Sequence, residues 1–344
     1  MKYSKNAPTI YDVAEQAGVS PATVSRVFGN TGYPVSETTK KKVLSAAVST
    51  RYKPLPKVKK KSGKRVAVVI PNLGNPYYSS LTAGLEHSLR LAGMSTLLIN
   101  TNGNMDVEKS LLADLSAQDV CGMIIVPCSD NIDHIKAATN KFISLVVMEQ
   151  DEQQDYSSVC FNYRAGGALA VQYLVERGCE TIGFISSPLT RHSRRSLYEG
   201  YLSGLTNNNM QLDKRFVRIA EIENRISERN CIFEHENAVV QVNHLIEDKC
   251  LPKAIFCAND ITAISVIQLL RQKGYDIPGD VSVMGFDNIQ MSEITCPALT
   301  TIDQCIYEMG NVAADLLTSR INDINYKDIS VTLQPKLVVR NSVV

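Results

Sequence analysis

Apolar and polar positions divide the 344-residue chain into three stretches of different period. In the first fifty residues the apolar side chains recur at helical spacing. Thr9 caps an expected helix Ile10–Ala17, with Asp12 three residues on to complement the free amides, and Gly18 supplies the turn that follows. Ser20 caps a second helix that begins at Pro21, where a missing N–H costs nothing, and runs through Phe28 to Gly29. Ser36 caps a third, with Val43, Leu44, Ala47 and Val48 expected on one face.

After Tyr52 the periodicity stops. Lys53-Pro-Leu-Pro-Lys-Val-Lys-Lys-Lys-Ser-Gly-Lys64 is rich in Pro and Lys and reads as a linker. Beyond it, continuous apolar runs alternate with amphipathic helices. Arg65–Ile70, Thr96–Ile99, Gly122–Val126 and Ser144–Met148 form one set of strands, and Thr181–Ile185, Ala254–Cys257 and Val281–Phe286 a second. Apolar runs of this kind, separated by helices, predict parallel sheets covered on both faces. The expected fold is therefore a small all-α head followed by an α/β body of two doubly wound lobes, with ligands beyond the carboxyl ends of the strands. The expected limits are 1–53 for the head, 54–64 for the basic linker and 65–344 for the body. Lobe one is expected over about 65–161 and 292–322, and lobe two over about 162–291 and 323–344.

Charge sharpens this division. Residues 1–64 carry thirteen Lys or Arg against three Asp or Glu, about +10, so in a chain of net charge +1 the remainder carries about −9. A basic head on an acidic body suits a polyanionic partner. The nine cysteines all lie beyond Lys64, mostly within apolar runs, with no Cys-x-x-Cys pair and no His at metal-ligand spacing; they read as reduced core residues. No metal and no cofactor are expected. The N-terminus lacks an apolar signal core and no stretch reaches membrane-spanning length, so a cytoplasmic location without membrane partners is expected.

A tri-helical basic head with a tight Gly18-Val-Ser turn fits DNA binding, although helical pairs joined at a glycine also occur in structural bundles. The residues themselves decide more. Thr9-Ile-Tyr-Asp-Val-Ala-Glu-Gln-Ala-Gly-Val-Ser-Pro-Ala-Thr-Val-Ser-Arg-Val27 resembles the helix-turn-helix head of the LacI/GalR family at almost every position of the motif. The resemblance implies that Val13, Ala14, Val19, Val24 and Val27 pack the helices, and that the second helix enters the major groove. Pro21 and Ala22 match the positions that vary with the operator, Ser20, Thr23, Ser25 and Arg26 match polar contacts, and Tyr11 a phosphate or base contact, with Thr9 beside it. Arg26 carries the main expectation, because its guanidinium can pair with guanine or clamp a phosphate.

Past Tyr52 the chain departs from the family, whose members continue into a short hinge helix with a leucine wedge. Here two prolines and a lysine run oppose a helix. Lys57, Lys59, Lys60 and Lys61, with Lys64, are expected either to follow the phosphates or to form a plain tether.

The resemblance extends to the family's sensor body through Pro71-Asn-Leu-Gly-Asn-Pro-Tyr-Tyr78, Arg164-Ala-Gly-Gly167, Ala258-Asn-Asp260 and Pro278-Gly-Asp-Val-Ser-Val-Met-Gly-Phe-Asp287. It implies an effector site of Asn75, Tyr77, Tyr78, Asn259, Asp260, Phe286 and Asp287. Asp287 would accept from ligand hydroxyls, and Asp260 is equally placed to cap the next helix. Where the family has an arginine this chain has Leu197, with Arg194 and Arg195 nearby as substitutes, and the family's Asp-Asn pair is Asn162-Tyr163. The expected function is sequence-specific DNA binding by a transcriptional regulator, with repression the expected sign, controlled by a small molecule between the lobes. The partners expected are operator DNA, an effector (a sugar, sugar derivative or related metabolite) and a second copy in a homodimer, a tetramer being open. Enzyme motifs are missing: there is no Gly-x-Gly-x-x-Gly after a strand, no phosphate loop and no Gly-x-Ser-x-Gly elbow, and the five histidines are scattered.

Overall fold

The computed structural model describes residues 8–29, 35–50, 52, 64–115, 120–138, 144–149, 156–221, 230–323 and 325–344. The chain divides into two compact units, residues 1–62 and 63–344.

In the head, α1 (Ile10–Ala17), α2 (Pro21–Gly29) and α3 (Glu37–Thr50) surround a small core of Val13, Ala14, Val24, Val43, Ala46 and Ala47. Val19 and Val27 pack against that core, as the motif requires. Gly18 ends α1 at φ 64, a left-handed turn that a β-carbon would strain. α3 buries Val43 and Ala47 as expected, but its inward face is shifted away from Leu44 and Val48. Ala46 is buried, whereas Leu44 is 44% and Val48 80% exposed. The small Ala46 and Ala47, one turn beyond Val43, allow α3 to approach α1 closely, which leaves the larger side chains outside.

The body holds two sheets. The first comprises β1 (Arg65–Ile70), β2 (Ser95–Asn100), β3 (Gly122–Ile125), β4 (Ser144–Met148) and β5 (Ser157–Phe161), with α4 (Pro76–Leu91), α5 (Met105–Leu115) and α6 (Asp133–Ala138) between them. The chain then passes to α7 (Tyr163–Glu176), β6 (Ile182–Ser186), α8 (His192–Asn207), β7 (Val217–Ile219), α9 (Asn230–Glu247), β8 (Ala254–Cys257), α10 (Asp260–Gln272), β9 (Ser282–Asp287), α11 (Met291–Ile294) and β10 (Thr300–Asp303). It closes with α12 (Ile306–Asn322), β11 (Ser330–Leu333) and β12 (Lys336–Val338). The strand orders are β11-β5-β4-β3-β1-β2 and β12-β10-β9-β8-β6-β7. Every pairing is parallel except β10 with β12.

These orders correct the expected lobe limits. β10 lies in the second sheet, so residues 300–303 belong to lobe two, and β11 lies in the first, so residues 330–333 belong to lobe one. The chain therefore crosses between lobes at Asn162, again between Asp303 and Ile306, and again between Leu333 and Lys336. Neighbouring crossings are tied together: Asn162 Nδ2 donates to Gln334 Oε1 at 3.0 Å, and Asn162 N to Leu333 O at 3.0 Å.

Strands β1, β3, β5, β6, β8 and β9 are buried along almost their whole length, as expected for sheets covered on both faces. In lobe two α7 and α8 cross at paired glycines. A β-carbon on Gly200 would stand 2.2 Å from Arg164 O, and one on Gly167 2.4 Å from Leu197 O. Gly200→Val is therefore expected to cost about 1–3 kcal/mol or more. Urea unfolding of the variant checks this, and a wild-type midpoint would show that the crossing relaxes freely.

Candidate functional site

On the head the motif builds its own scaffold first. Thr9 donates from its N–H and its hydroxyl to Asp12 Oδ2, at 2.6 and 2.8 Å, which fixes the start of α1 and lowers the Asp12 pKa. Ser20 Oγ accepts from Thr23 N at 3.1 Å and lies 2.9 Å from Thr23 Oγ1, fixing the start of α2. With Val24 fully buried beneath them, Ser20, Ala22, Ser25 and Arg26 are exposed and Pro21 and Thr23 half-buried. Tyr11 on α1 is 69% exposed. An apolar underside thus holds a short polar face carrying a guanidinium, the arrangement a major groove accepts. Lys57, Lys59, Lys60 and Lys61 lie outside the described residues. Lys64, the first described residue of the body unit, donates from Nζ to Asn322 Oδ1 at 3.0 Å.

In the body, polar groups gather where the strands of both sheets end at the interlobe cleft. Asp287 terminates β9 at φ 127, is 6% exposed, and accepts from Gln304 Nε2 at 2.5 Å. Burial, with Asp260 nearby, drives its pKa well above the usual carboxylate range, against the pull of Arg194. Asn259, after β8, caps α10 by accepting from Thr262 N at 2.7 Å. Its Nδ2 is buried without a hydrogen-bond partner, as is Gln304 Oε1. Arg194 Nη1 donates to Ala258 O, and its Nη2 lies 3.8 Å from Glu234.

Five residues of the expected effector site have structural partners of their own. Asp260 is fully buried and accepts from Ile289 N at 2.9 Å, Ser292 Oγ at 2.7 Å and Thr301 Oγ1 at 2.6 Å, so its carboxylate ties α10 to β10 and to the turn after β9. The capping role considered for it falls to Asn259. Phe286 is fully buried, its ring 5.7 Å from Phe161 and 6.1 Å from Tyr163. Tyr77 is buried edge-on to Tyr78, with its hydroxyl against Met309 Sδ. Arg195 reaches across the cleft to Asp130 at 2.5 Å. Asn75 caps α4, accepting from Tyr77 N at 3.0 Å.

Sequence reasoning missed several residues here. Glu149 follows β4 at φ 60, is 7% exposed, and accepts from Arg191 Nη2 at 2.8 Å. Burial opposes the charge of Arg191, but Glu149 together with Tyr78, Tyr163 and Cys128 around it outweighs that effect and raises its pKa. Cys128, after β3, lies 3.0 Å from Thr101 Oγ1, and burial pushes its thiol up to about 12, so it is no nucleophile at neutral pH. A signal for these residues was available: Glu149 sits one, Cys128 three and Arg191 five positions past an apolar strand, where doubly wound folds place their ligands.

Comparison with known proteins meets both halves of this picture. Residues 9–55 match the bacterial regulatory proteins of the lacI family, and residues 171–343 match a periplasmic binding protein-like domain. The chain is 31% identical over 343 residues to the HTH-type transcriptional repressor PurR of Pasteurella multocida (strain Pm70), covering 97% of this chain and 98% of that protein. It belongs to the lacI family of regulators. Solved structures agree with this lacI-family assignment. A lac repressor dimer bound to operator and the anti-inducer ONPF superposes with a TM-score of 0.71 at 27% identity, over 98% of this chain and 99% of that one. A LacI family transcriptional regulator from Enterococcus faecium with bound ribose gives 0.71 at 27% identity, over 81% of this chain and 98% of that one. This lacI-family chain is thus a helix-turn-helix DNA-binding transcriptional regulator with a two-lobed sensor body. Among the described residues no helix is long and apolar enough to cross a membrane, and no group of three or more His, Cys, Asp or Glu is placed to hold a metal ion.

Proposed function

We propose that the protein is a cytoplasmic repressor, without enzymatic activity, that binds its operator as a homodimer in the ligand-free state and changes its hold on DNA when a small metabolite enters the interlobe cleft. The observation that carries the effector reading is the pair of buried, unpartnered polar atoms, Asn259 Nδ2 and Gln304 Oε1, beside Asp287 at the strand ends. A buried donor and a buried acceptor left unpaired cost stability, and a hydroxylated ligand satisfies both. The proposed effector contacts are Asn259, Asp287, Arg194, Gln304, Tyr78 and Arg191. Asn75 stands at the rim through its place at the start of α4. Operator contact is assigned to Thr9, Tyr11, Ser20, Pro21, Ala22, Thr23, Ser25 and Arg26, with Lys57, Lys59, Lys60 and Lys61 supplying phosphate attraction.

Exposed apolar groups in lobe two support the homodimer. Ile294 is 80% and Met291 45% exposed, and a groove of about 490 Å³ is lined by Ile264, Ile267, Gln268, Arg271, Thr295 and Cys296. A second copy is the occupant proposed for this face, as the related lac repressor forms a dimer on its operator.

Asp287→Asn tests the cleft. The variant retains an acceptor for Gln304 but no longer buries an ionisable group. Because the folded-state pKa of Asp287 is raised, burying its carboxylate costs stability above that pKa, and the cost disappears as pH falls toward the unfolded value of about 4. Asp287→Asn is thus expected to melt higher than wild type at pH 7.5, by a margin that shrinks at pH 4.5. Once thermal-shift screening has identified an effector, its affinity for the variant is expected to fall about ten- to a hundredfold, the loss of a hydrogen bond to a polar ligand group. Wild-type effector affinity would remove Asp287 from the site, and a pH-independent difference in melting would show that its carboxylate is not the buried group that titrates.

A further inference from the structure

Side chains of the body join the two lobes across the cleft. Glu149 and Asp130 belong to lobe one, beyond β4 and β3, and their partners all lie at the start of α8 in lobe two or on the residue just before it. Arg191, the residue preceding α8, places Nη2 2.8 Å from Glu149 Oε2. Asp130 Oδ1 accepts from His192 N at 3.0 Å, and Asp130 Oδ2 from Arg195 Nη2 at 2.5 Å. α8 has no acidic residue in its first turn and no side-chain cap of its own, so the negative charge that its amide end favours is supplied by the opposite lobe.

The inner pair is the more constrained. Glu149 is 7% exposed and its φ of 60 lies in the left-handed region, a conformation that a non-glycine residue keeps only where its surroundings impose it. Arg191 is the partner that holds it, with Tyr78 of lobe one and Tyr163 of lobe two close by. A buried carboxylate and a partly buried guanidinium from opposite lobes each lose a close countercharge if the lobes separate without water reaching both. Their pairing therefore favours the closed arrangement.

We propose that Glu149 and Arg191, flanked by Asp130 and Arg195, form an interlobe latch that keeps the body closed without an effector and thereby sets the basal affinity for operator. The proposal rests on the reading above, in which lobe arrangement governs DNA binding. Closure is then a property of the chain itself, and an effector acts on a body already latched: it tightens the pair by bridging it or opens it by taking one member.

The test uses the full chain without effector: wild type, E149Q, R191Q, the double variant E149Q/R191Q and the exchange E149R/R191E. Small-angle scattering reads the lobe arrangement, and fluorescence anisotropy on an operator duplex reads affinity. Each single variant is expected to give an opened scattering profile and at least fivefold weaker operator binding. The double variant should be no worse than the poorer single, and the exchange should recover most of both properties. A single variant that fails to fold leaves the double variant and the exchange to decide, since both remove the unpaired buried charge. Wild-type scattering in the double variant would overturn the latch. Opened bodies with wild-type operator affinity would overturn the proposal from the other side, by showing that the lobes are uncoupled from the head.

Discussion

Replacing Asp260 with Ala is expected to lower the stability of the body by about 3 kcal/mol or more, since the change leaves several buried donors unsatisfied. The carboxylate is completely buried and takes hydrogen bonds from the Ile289 amide and from the Ser292 and Thr301 hydroxyls, which come from three different parts of lobe two. Removing it takes away the acceptor for all three, and water does not reach a site of zero exposure. Asp260→Asn is also expected to be harmful, because one of its two polar atoms becomes a donor facing donors. Gly285 makes room for the carboxylate, as a β-carbon at that position would stand 2.2 Å from Asp260 Oδ1. Urea unfolding followed by circular dichroism checks the expectation. A loss below about 0.5 kcal/mol, the usual range for surface substitutions, would mean that the three donors find other partners.

Asp260 also marks where the sequence ceased to be informative. In sequence it is an acid following a buried strand and preceding a helix, which fits a cap, a cleft residue or an internal tie equally well. What decides among these is Ser292 and Thr301, 32 and 41 residues away, and no local pattern announces them. The head was legible because its contacts are local: Thr9 with Asp12, Ser20 with Thr23, and Val13 and Val24 at helical spacing all lie within one turn or one short loop. The strands that form the sheet centres were legible because burial on both faces makes them continuously apolar. β10, β11 and β12 were not. They have three or four residues each, β11 and β12 carry only exposed or partly buried positions, and their assignment to one sheet or the other depends on pairing with strands far away in the chain. Glu149 was missed although it follows a clear strand, because its partner Arg191 lies 42 residues on, in the other lobe. The rule that drew attention to Asp287, a carboxylate just past a buried strand, applies to Glu149 with equal force.

The second large effect is expected at the DNA-reading surface. Arg26 is exposed on α2, directly after Val24 and Ser25, so the buried Val24 fixes the helix while the guanidinium is carried on its outer side. A guanidinium in the major groove makes two parallel hydrogen bonds to guanine, and the loss of one such contact costs about 1–3 kcal/mol, roughly five- to a 150-fold in affinity. Arg26→Ala is therefore expected to weaken binding to the preferred duplex by that factor while reducing random-duplex binding much less, with the head still folded. Anisotropy titrations on both duplexes at one fixed salt concentration separate the two terms, since phosphate contacts serve any sequence and base contacts only the preferred one. Equal losses on both duplexes would make Arg26 a phosphate contact, and no loss on either would remove it from the interface.

The central claim is that this chain reads a DNA sequence through its head as a symmetric pair of subunits. Selection of duplexes from a random pool by the purified full-length protein, followed by sequencing of the retained fraction, tests it most directly. Enrichment of a single pseudo-palindromic site with two half-sites is expected, and loss of that enrichment in Arg26→Ala. Retention of duplexes with no shared sequence, or equal enrichment by wild type and Arg26→Ala, would contradict it.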